Sequence, residues 1–361
     1  MSAQSIPFVV PVVDISAYVR GGTDAERAAT AGAMDRACSS VGFIQILGHG
    51  IPDPVIQGLK DGVDAFFGQP LEAKKEYRLP AGVNRGYAPP KSESLSLSAG
   101  VESASRMNDF FEAFNIGSQA SDFPDLDLSE AEYPANAWPA VDGFRPAIEA
   151  YYAEAARVAR TLTRIFADAL GMPTEHFAPL TDHSLDVMRM NNYALPESTV
   201  DLDGDLTGMG EHTDYGIVTV LWADQVPGLQ VVGPDGTWHD VAPIDGALLV
   251  NLGDIMGRWT NDRWMSTLHR VKPPIINGTI RRRRSVAFFH DGNAEAVVDA
   301  LPTCVPAGEE PHYAPMTVIE NITAKLAGSR NGQLYAGAGS VAARILAATD
   351  RAKPPANRRG T

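Results

Sequence analysis

Apolar positions along the chain follow two periods in succession. In the first half they recur at helical spacing. Thr23-Asp24-Ala25-Glu26-Arg27 reads as a helix start, a polar cap followed by acid in the first turn, and the helix closes near Gly42. Phe43 to Leu47 reads as a strand, Pro52-Asp53-Pro54 opens a second helix ending near Phe67, and Leu71 to Tyr77 is a shorter one. Val141 to Leu170 is the longest, with Phe144, Ile148, Tyr151, Tyr152, Ala155, Val158, Leu162, Ile165 and Phe166 forming one apolar stripe. After Gly171 the period becomes two. Leu185 to Tyr193 puts Val187, Arg189, Asn191 and Tyr193 on one face. Ile217–Trp222, Leu229–Val232, Trp238–Val241, Ala247–Leu252 and Ser285–Phe289 are further short strands, separated by turns such as Pro227-Gly228, Pro234-Asp235-Gly236, Pro273-Pro274 and Asn277-Gly278. Short strands after a helical start predict an α+β fold whose strands form an antiparallel barrel or jelly roll.

The stretches between are less regular. Residues 80–105 are rich in Gly, Ser and Pro, bracketed by Arg85-Gly86-Tyr87 and Phe110-Phe111-Glu112-Ala113-Phe114. A long irregular stretch in a compact domain is often a functional rim; a surface loop with an aromatic core plug is the alternative. Residues 119–140 are acidic and Pro-rich loop. Val318 to Ala327 is helical, and the Gly/Ala/Arg-rich end has room for one helix, Ser340 to Thr349, before a disordered last dozen residues. The organisation is read as 1–115, an N-terminal helical and β region; 116–180, a loop and the long supporting helix; 181–328, the β core; and 329–361, a C-terminal extension.

Charge narrows the classes of function. The net charge of −14 disfavours nucleic acid. Arg281–Arg284 is the one basic cluster, and a solvated strand edge suits Arg282 and Arg284. Cys38 and Cys304 have no metal-site spacing, and no secretory leader precedes them, which points to a reducing cytoplasm. Cys38 reads as a small core residue. No apolar run reaches the length of a membrane span.

The chemistry concentrates in Gly210-Glu211-His212-Thr213-Asp214-Tyr215-Gly216. His212 and Asp214 are two apart, so extended backbone aims both at one point. A second imidazole must come from elsewhere, and His269 lies in Ser266-Thr267-Leu268-His269-Arg270-Val271. Two His and one carboxylate cover one face of an octahedral metal and leave three positions open, the ligand set of non-haem Fe(II) oxygenases. Arg283 and Ser285 share a strand face, and a guanidinium fork beside a hydroxyl suits a carboxylate. Glu211 and Thr213 face away from the metal. His49, in a Gly-His-Gly turn, and His290, of opposite parity to Arg283, are expected to be structural.

In this order and spacing, His212-Thr213-Asp214, His269-Arg270-Val271 and Arg283-x-Ser285 resemble the isopenicillin N synthase-like branch of the 2-oxoglutarate/Fe(II)-dependent dioxygenase superfamily. Pro11-Val12-Val13-Asp14-Ile15, Gly42-Phe43 with His49-Gly50-Ile51, Asn251-Leu252-Gly253-Asp254 and Arg258-Trp259-Thr260-Asn261-Asp262 extend the resemblance over roughly residues 8–328. It implies a double-stranded β-helix (jelly-roll) core with supporting N-terminal and mid-chain helices. It also implies Fe(II) on His212, Asp214 and His269, and 2-oxoglutarate as co-substrate, its distal carboxylate on Arg283 and Ser285. Tyr193 and Asn191 match the family's Asn-x-Tyr strand and are carried over as co-substrate contacts. The implied reaction hydroxylates, desaturates or cyclises a small molecule with O₂, giving succinate and CO₂. An oxidase like isopenicillin N synthase itself, without 2-oxoglutarate, is the alternative, since Asn331-Gly332-Gln333 resembles its C-terminal residues. An intact triad and anchor argue against a non-catalytic barrel, and Arg-x-Ser argues against a zinc hydrolase. Neither the primary substrate nor the oligomeric state is legible.

Overall fold

The computed structural model describes residues 8–80, 82–90, 92, 111–194, 208–276 and 279–331. The N-terminal half gives β1 (Val12–Asp14), α1 (Ser16–Val19), α2 (Asp24–Ser40), β2 (Phe43–Leu47), α3 (Asp53–Phe67), α4 (Leu71–Lys75), β3 (Gly86–Ala88), β4 (Glu112–Gly117) and α5 (Phe144–Ala169). Then follow β5 (Val187–Tyr193), β6 (Met209–His212), β7 (Val218–Ala223), β8 (Leu229–Val232), β9 (Trp238–Asp240), β10 (Leu248–Leu252) and α6 (Asp254–Trp259). The last elements are β11 (His269–Val271), β12 (Ile275–Ile276), β13 (Thr279–Ile280), β14 (Arg283–His290), β15 (Val297–Val298), β16 (Met316–Thr317) and α7 (Val318–Asn331). The expected Asn277-Gly278 turn, the rim residues 93–110, Gly332-Gln333 and the Ser340–Thr349 helix lie outside the described residues.

Two sheets carry the fold. The larger has the strand order β1-β2-β10-β7-β14-β5-β4-β3, and the smaller β6-β11-β8-β9. Every pairing within them is antiparallel except β1 with β2. The core is a jelly roll of two sheets and does not close into a barrel among the described residues. Period-two alternation decides what each strand buries. Met188, Met190, Val220, Val250, Val286 and Phe288 join one apolar cluster with Ile148, Tyr151, Ala155, Val158, Leu162, Ile165 and Phe166 of α5. That cluster is the helical layer behind the large sheet. The opposite faces supply Phe43, Ala113, Tyr193 and Leu249, which meet Met209, Leu229, Val231 and Val271 of the smaller sheet in a second cluster. A cavity between the sheets is lined by the same inward parities.

Local signals explain the element ends. Thr23 and Glu26 form a reciprocal capping box on α2. Two features depart from expectation. Residues 80–105 are not wholly irregular, because Gly86–Ala88 is an edge strand, and Glu112–Gly117 is a fully buried interior strand in the large sheet. Buried strands lack polar alternation, so β4 does not announce itself. Arg282 and Arg284 are not merely solvated: both pair with Asp64 of α3, at 2.6 and 2.8 Å. The expected structural roles of His49 and Cys38 hold. His49 bonds the Gly246 carbonyl at 3.1 Å and Cys38 is buried. No helix among the described residues is long and apolar enough to cross a membrane.

Gly42 sits at φ +70°, and a Cβ there would lie 2.3 Å from the Met265 carbonyl oxygen. Gly42→Ala is therefore expected to cost on the order of 2 kcal/mol, seen as a lower denaturant midpoint with unchanged slope. An unchanged midpoint would contradict the close approach.

Candidate metal and co-substrate site

The two imidazoles meet through strand pairing. His269 opens β11 and stands directly opposite His212, the last residue of β6. Opposed antiparallel residues carry Cβ atoms about 5 Å apart, and the rings lie 4.1 Å centroid to centroid. Asp214, two residues past His212, places Oδ1 at 3.8 Å from His212 Nε2 and 3.7 Å from His269 Nε2. All three side chains are buried, and their ligating atoms lie within 4.8 Å of one another. Glu211 and Thr213 point elsewhere, to Arg270 at 2.9 Å and Asp254 at 3.3 Å.

The surrounding hydrogen bonds orient these atoms. His212 Nδ1 pairs with the Gly210 carbonyl at 2.8 Å and His269 Nδ1 with the Thr267 carbonyl at 3.1 Å. Each ring therefore donates through Nδ1 and turns the Nε2 lone pair inward. Asp214 Oδ2 accepts from Thr219 at 2.5 Å and Asn251 at 2.6 Å, leaving Oδ1 for the centre. Burial, then the neighbouring His269, hold the His212 imidazole well below its ordinary pKa, in the neutral form that binds metals. Burial raises Asp214, but the two imidazoles, Asn251 and Thr219 outweigh it and keep its pKa low.

Sequence reasoning misses Asn251 as a functional residue. Its signal is a lone polar side chain in the apolar strand Leu248-Leu249-Val250-Asn251-Leu252. Gly253 permits the next contact, since a Cβ there would sit 2.1 Å from the Gly216 carbonyl oxygen. Beyond it, Asp254 pairs with buried Lys325 of α7 at 2.6 Å, tying that helix to the metal loop through Thr213.

At one end of the cavity lies the predicted anion cradle. β14 and β5 are in register, Arg283 opposite Tyr193 and Ser285 opposite Asn191. Arg283 is 2% exposed, with its guanidinium over the Tyr193 ring at 5.2 Å. Its Nε donates to the Val226 carbonyl at 3.3 Å, while Nη1 is buried with no hydrogen-bond partner. Asn191 Nδ2 reaches Ser285 Oγ at 3.5 Å and its Oδ1 accepts from Arg189. His290 faces the helical side and bonds Asp186 at 2.9 Å, the expected structural role.

Comparison with known proteins agrees with this geometry. Residues 185–292 match the family described as the 2OG-Fe(II) oxygenase superfamily. Residues 10–141 match that described as non-haem dioxygenase in morphine synthesis N-terminal. The 2-oxoglutarate-Fe(II) type oxidoreductase hxnY of Emericella nidulans is 36% identical over 321 residues, covering 86% of this chain and 88% of the relative. The chain belongs to the 2OG-Fe(II) oxygenase superfamily. Validamycin A dioxygenase of Streptomyces hygroscopicus subsp. limoneus is 30% identical, covering 88% of this oxygenase and 85% of its own length. The crystal structure of a full-length Neurospora crassa protein in complex with alpha-KG and thymine superposes with a TM-score of 0.77 at 26% identity, covering 90% of this chain and 98% of that one. The protein is thus an oxidoreductase that uses Fe(II) and 2-oxoglutarate.

The residues fit both groups. Two inward Nε2 atoms and one free carboxylate oxygen converge as a facial set, and the orphaned Nη1 of Arg283 wants an anion. Asn251→Ala leaves Asp214 Oδ2 with a single donor. Loss of such an orienting partner is expected to weaken Fe(II) retention by about 10–100-fold, measured by equilibrium dialysis under reducing, anaerobic conditions. Retention equal to the parent would remove Asn251 from this role.

Proposed function

We propose that this oxygenase couples the conversion of 2-oxoglutarate and O₂ to succinate and CO₂ with hydroxylation, or desaturation or cyclisation, of a small molecule. In this reading His212, Asp214 and His269 hold the iron, and Arg283 with Ser285 receives the distal carboxylate of 2-oxoglutarate. Asn191 and Tyr193 shape the co-substrate pocket beside them. One observation carries the co-substrate assignment: Arg283 is a buried guanidinium that makes no ion pair with any described residue and keeps one nitrogen unpaired. A desolvated charge without a partner is costly, and a carboxylate supplied by ligand removes that cost.

When bound, the iron would let O₂ act as the oxidant, two of its four oxidising equivalents being consumed in the oxidative decarboxylation of 2-oxoglutarate and two left to oxidise a C–H bond of the substrate. The chain contributes position and exclusion. Thr219 and Asn251 fix which oxygen Asp214 presents. Gly210 and Thr267 fix the two ring tautomers. Phe43 packs its edge on His269 at 5.1 Å, and Leu221, Leu229 and Val271 complete an apolar wall against water. The cavity, about 120 Å³, is lined by all three triad side chains together with Arg283 and Ser285. Validamycin A dioxygenase is named for a small molecule and the Neurospora crassa structure holds thymine, which supports the same substrate scale here.

His212→Ala and Asp214→Ala are each expected to abolish iron retention and turnover. Full succinate formation in either variant would sink the ligand assignment. Arg283→Leu is expected to raise the KM for 2-oxoglutarate by one to two orders of magnitude, from a charge-assisted contact of about 1.5–3 kcal/mol. An unchanged KM would move Arg283 to the primary substrate or to structure.

A further inference from the structure

Beyond the triad and the anion cradle, the cavity holds a carboxyl that the reaction as described does not use. The inward parity of β14 runs Arg283, Ser285, Ala287, Phe289, and the next position is Asp291. Asp291 is 7% exposed. Its carboxyl accepts no hydrogen bond from any described residue. The neighbouring Asp186 is the opposite case, accepting from Ser184, from His290 at 2.9 Å and from the Asp291 amide at 3.3 Å. Space for the Asp291 carboxyl exists because residue 216 is glycine: a Cβ there would lie 2.0 Å from Asp291 Oδ1. A buried carboxyl without donors is unfavourable, so its place in a cavity wall points to a ligand.

Position decides which ligand. Asp291 immediately follows β14, whose seven steps from Arg283 to His290 span about 23 Å at 3.3 Å per residue, so Asp291 lies at the opposite end of that strand from a carboxylate seated on Arg283. Asp291 also lines the adjoining cavity, about 240 Å³, with Val187, Ile322 and Leu326. The two cavities share Asn84, Val187, Asp291, Ile322 and Leu326, joining the metal centre to the second space. Arg189, a cation on the adjoining strand, pairs with Ala287, four residues back and about 13 Å along the strand. Burial, then the carboxylates of Asp186 and Asp214, push the Asp291 pKa well up, against the pull of Arg85.

We propose that Asp291 selects the primary substrate by pairing with a protonated nitrogen, an ammonium or guanidinium, carried on an apolar body that lies against Val187, Ile322 and Leu326. This rests on the oxygenase reading and names the substrate class for it. Asp291 would touch substrate rather than metal.

The test uses the full chain loaded anaerobically with Fe(II) and 2-oxoglutarate, titrated in a calorimeter with n-butylammonium and, separately, n-butanol. The parent is expected to prefer the ammonium at least tenfold, and Asp291→Asn to lose that preference with an unchanged or raised Tm. Equal affinity for the two probes in the parent would overturn the proposal. So would a preference retained in Asp291→Asn, or one lost together with a fall in Tm, which would assign Asp291 to the fold. Titration of 2-oxoglutarate into the Fe(II)-loaded protein separates the two levels. If it binds and no ammonium preference exists, only the Asp291 proposal fails; if it does not bind, the co-substrate reading fails.

Discussion

Everything in the site depends on one cross-strand pair. β6 and β11 are four and three residues long, and their antiparallel register sets His212 opposite His269. A slip of one residue would turn one imidazole to the other face of the sheet. Register is therefore the constraint that converts two distant segments into one centre. The rest of the smaller sheet supports it, β8 pairing His269 with Val231 on the other side. Asp214 needs no register of its own, because Thr219 of β7 and Asn251 of β10 hold its carboxylate from the facing sheet. The three ligands thus report contact between both sheets, and the cavity between the layers is where chemistry can occur.

Buried charge shows which groups serve the fold and which serve ligands. Lys74 and Glu112 are buried together at 2.7 Å, and Glu112 is further satisfied by Tyr87 and Asn192. Lys325 and Asp254 likewise meet at 2.6 Å. Such pairs are closed. Arg283 at the start of β14 and Asp291 just past its end are different: Arg283 Nη1 is buried without a hydrogen-bond partner, and the mostly buried Asp291 carboxyl accepts no hydrogen bond from any described residue. A buried group left unmatched costs stability, and both lie in the wall of the cavity that contains the triad. A buried cation therefore opens β14 and a buried carboxyl immediately follows it, with Ser285, Ala287 and Phe289 between them.

Much of this is legible in the residues themselves. His-x-Asp, the distant His and Arg-x-Ser are chemically unusual at their spacing, and their resemblance to a known family supplies the co-substrate. A helix with a polar cap, such as α2, or with an apolar stripe, such as α5, can be placed to within a few residues. β4 cannot, because a strand buried on both faces loses the alternation that marks strands. Asn251 and Asp291 escape sequence reasoning for a different reason. A single polar residue in or after an apolar strand carries no motif, and its meaning comes only from what the fold sets opposite it. The pairing of Arg282 and Arg284 with Asp64 depends in the same way on where α3 packs.

The most direct test of the central claim is spectroscopic. Fe(II) is added anaerobically to the metal-free protein, then 2-oxoglutarate, and the visible spectrum is recorded at each step. A weak charge-transfer band that requires both additions is predicted by the proposal that the paired histidines and Asp214 hold an iron to which the 2-oxo acid binds. Bound iron with no band on adding 2-oxoglutarate would contradict it, and would turn the Arg283 cradle over to a carboxylate of the substrate itself.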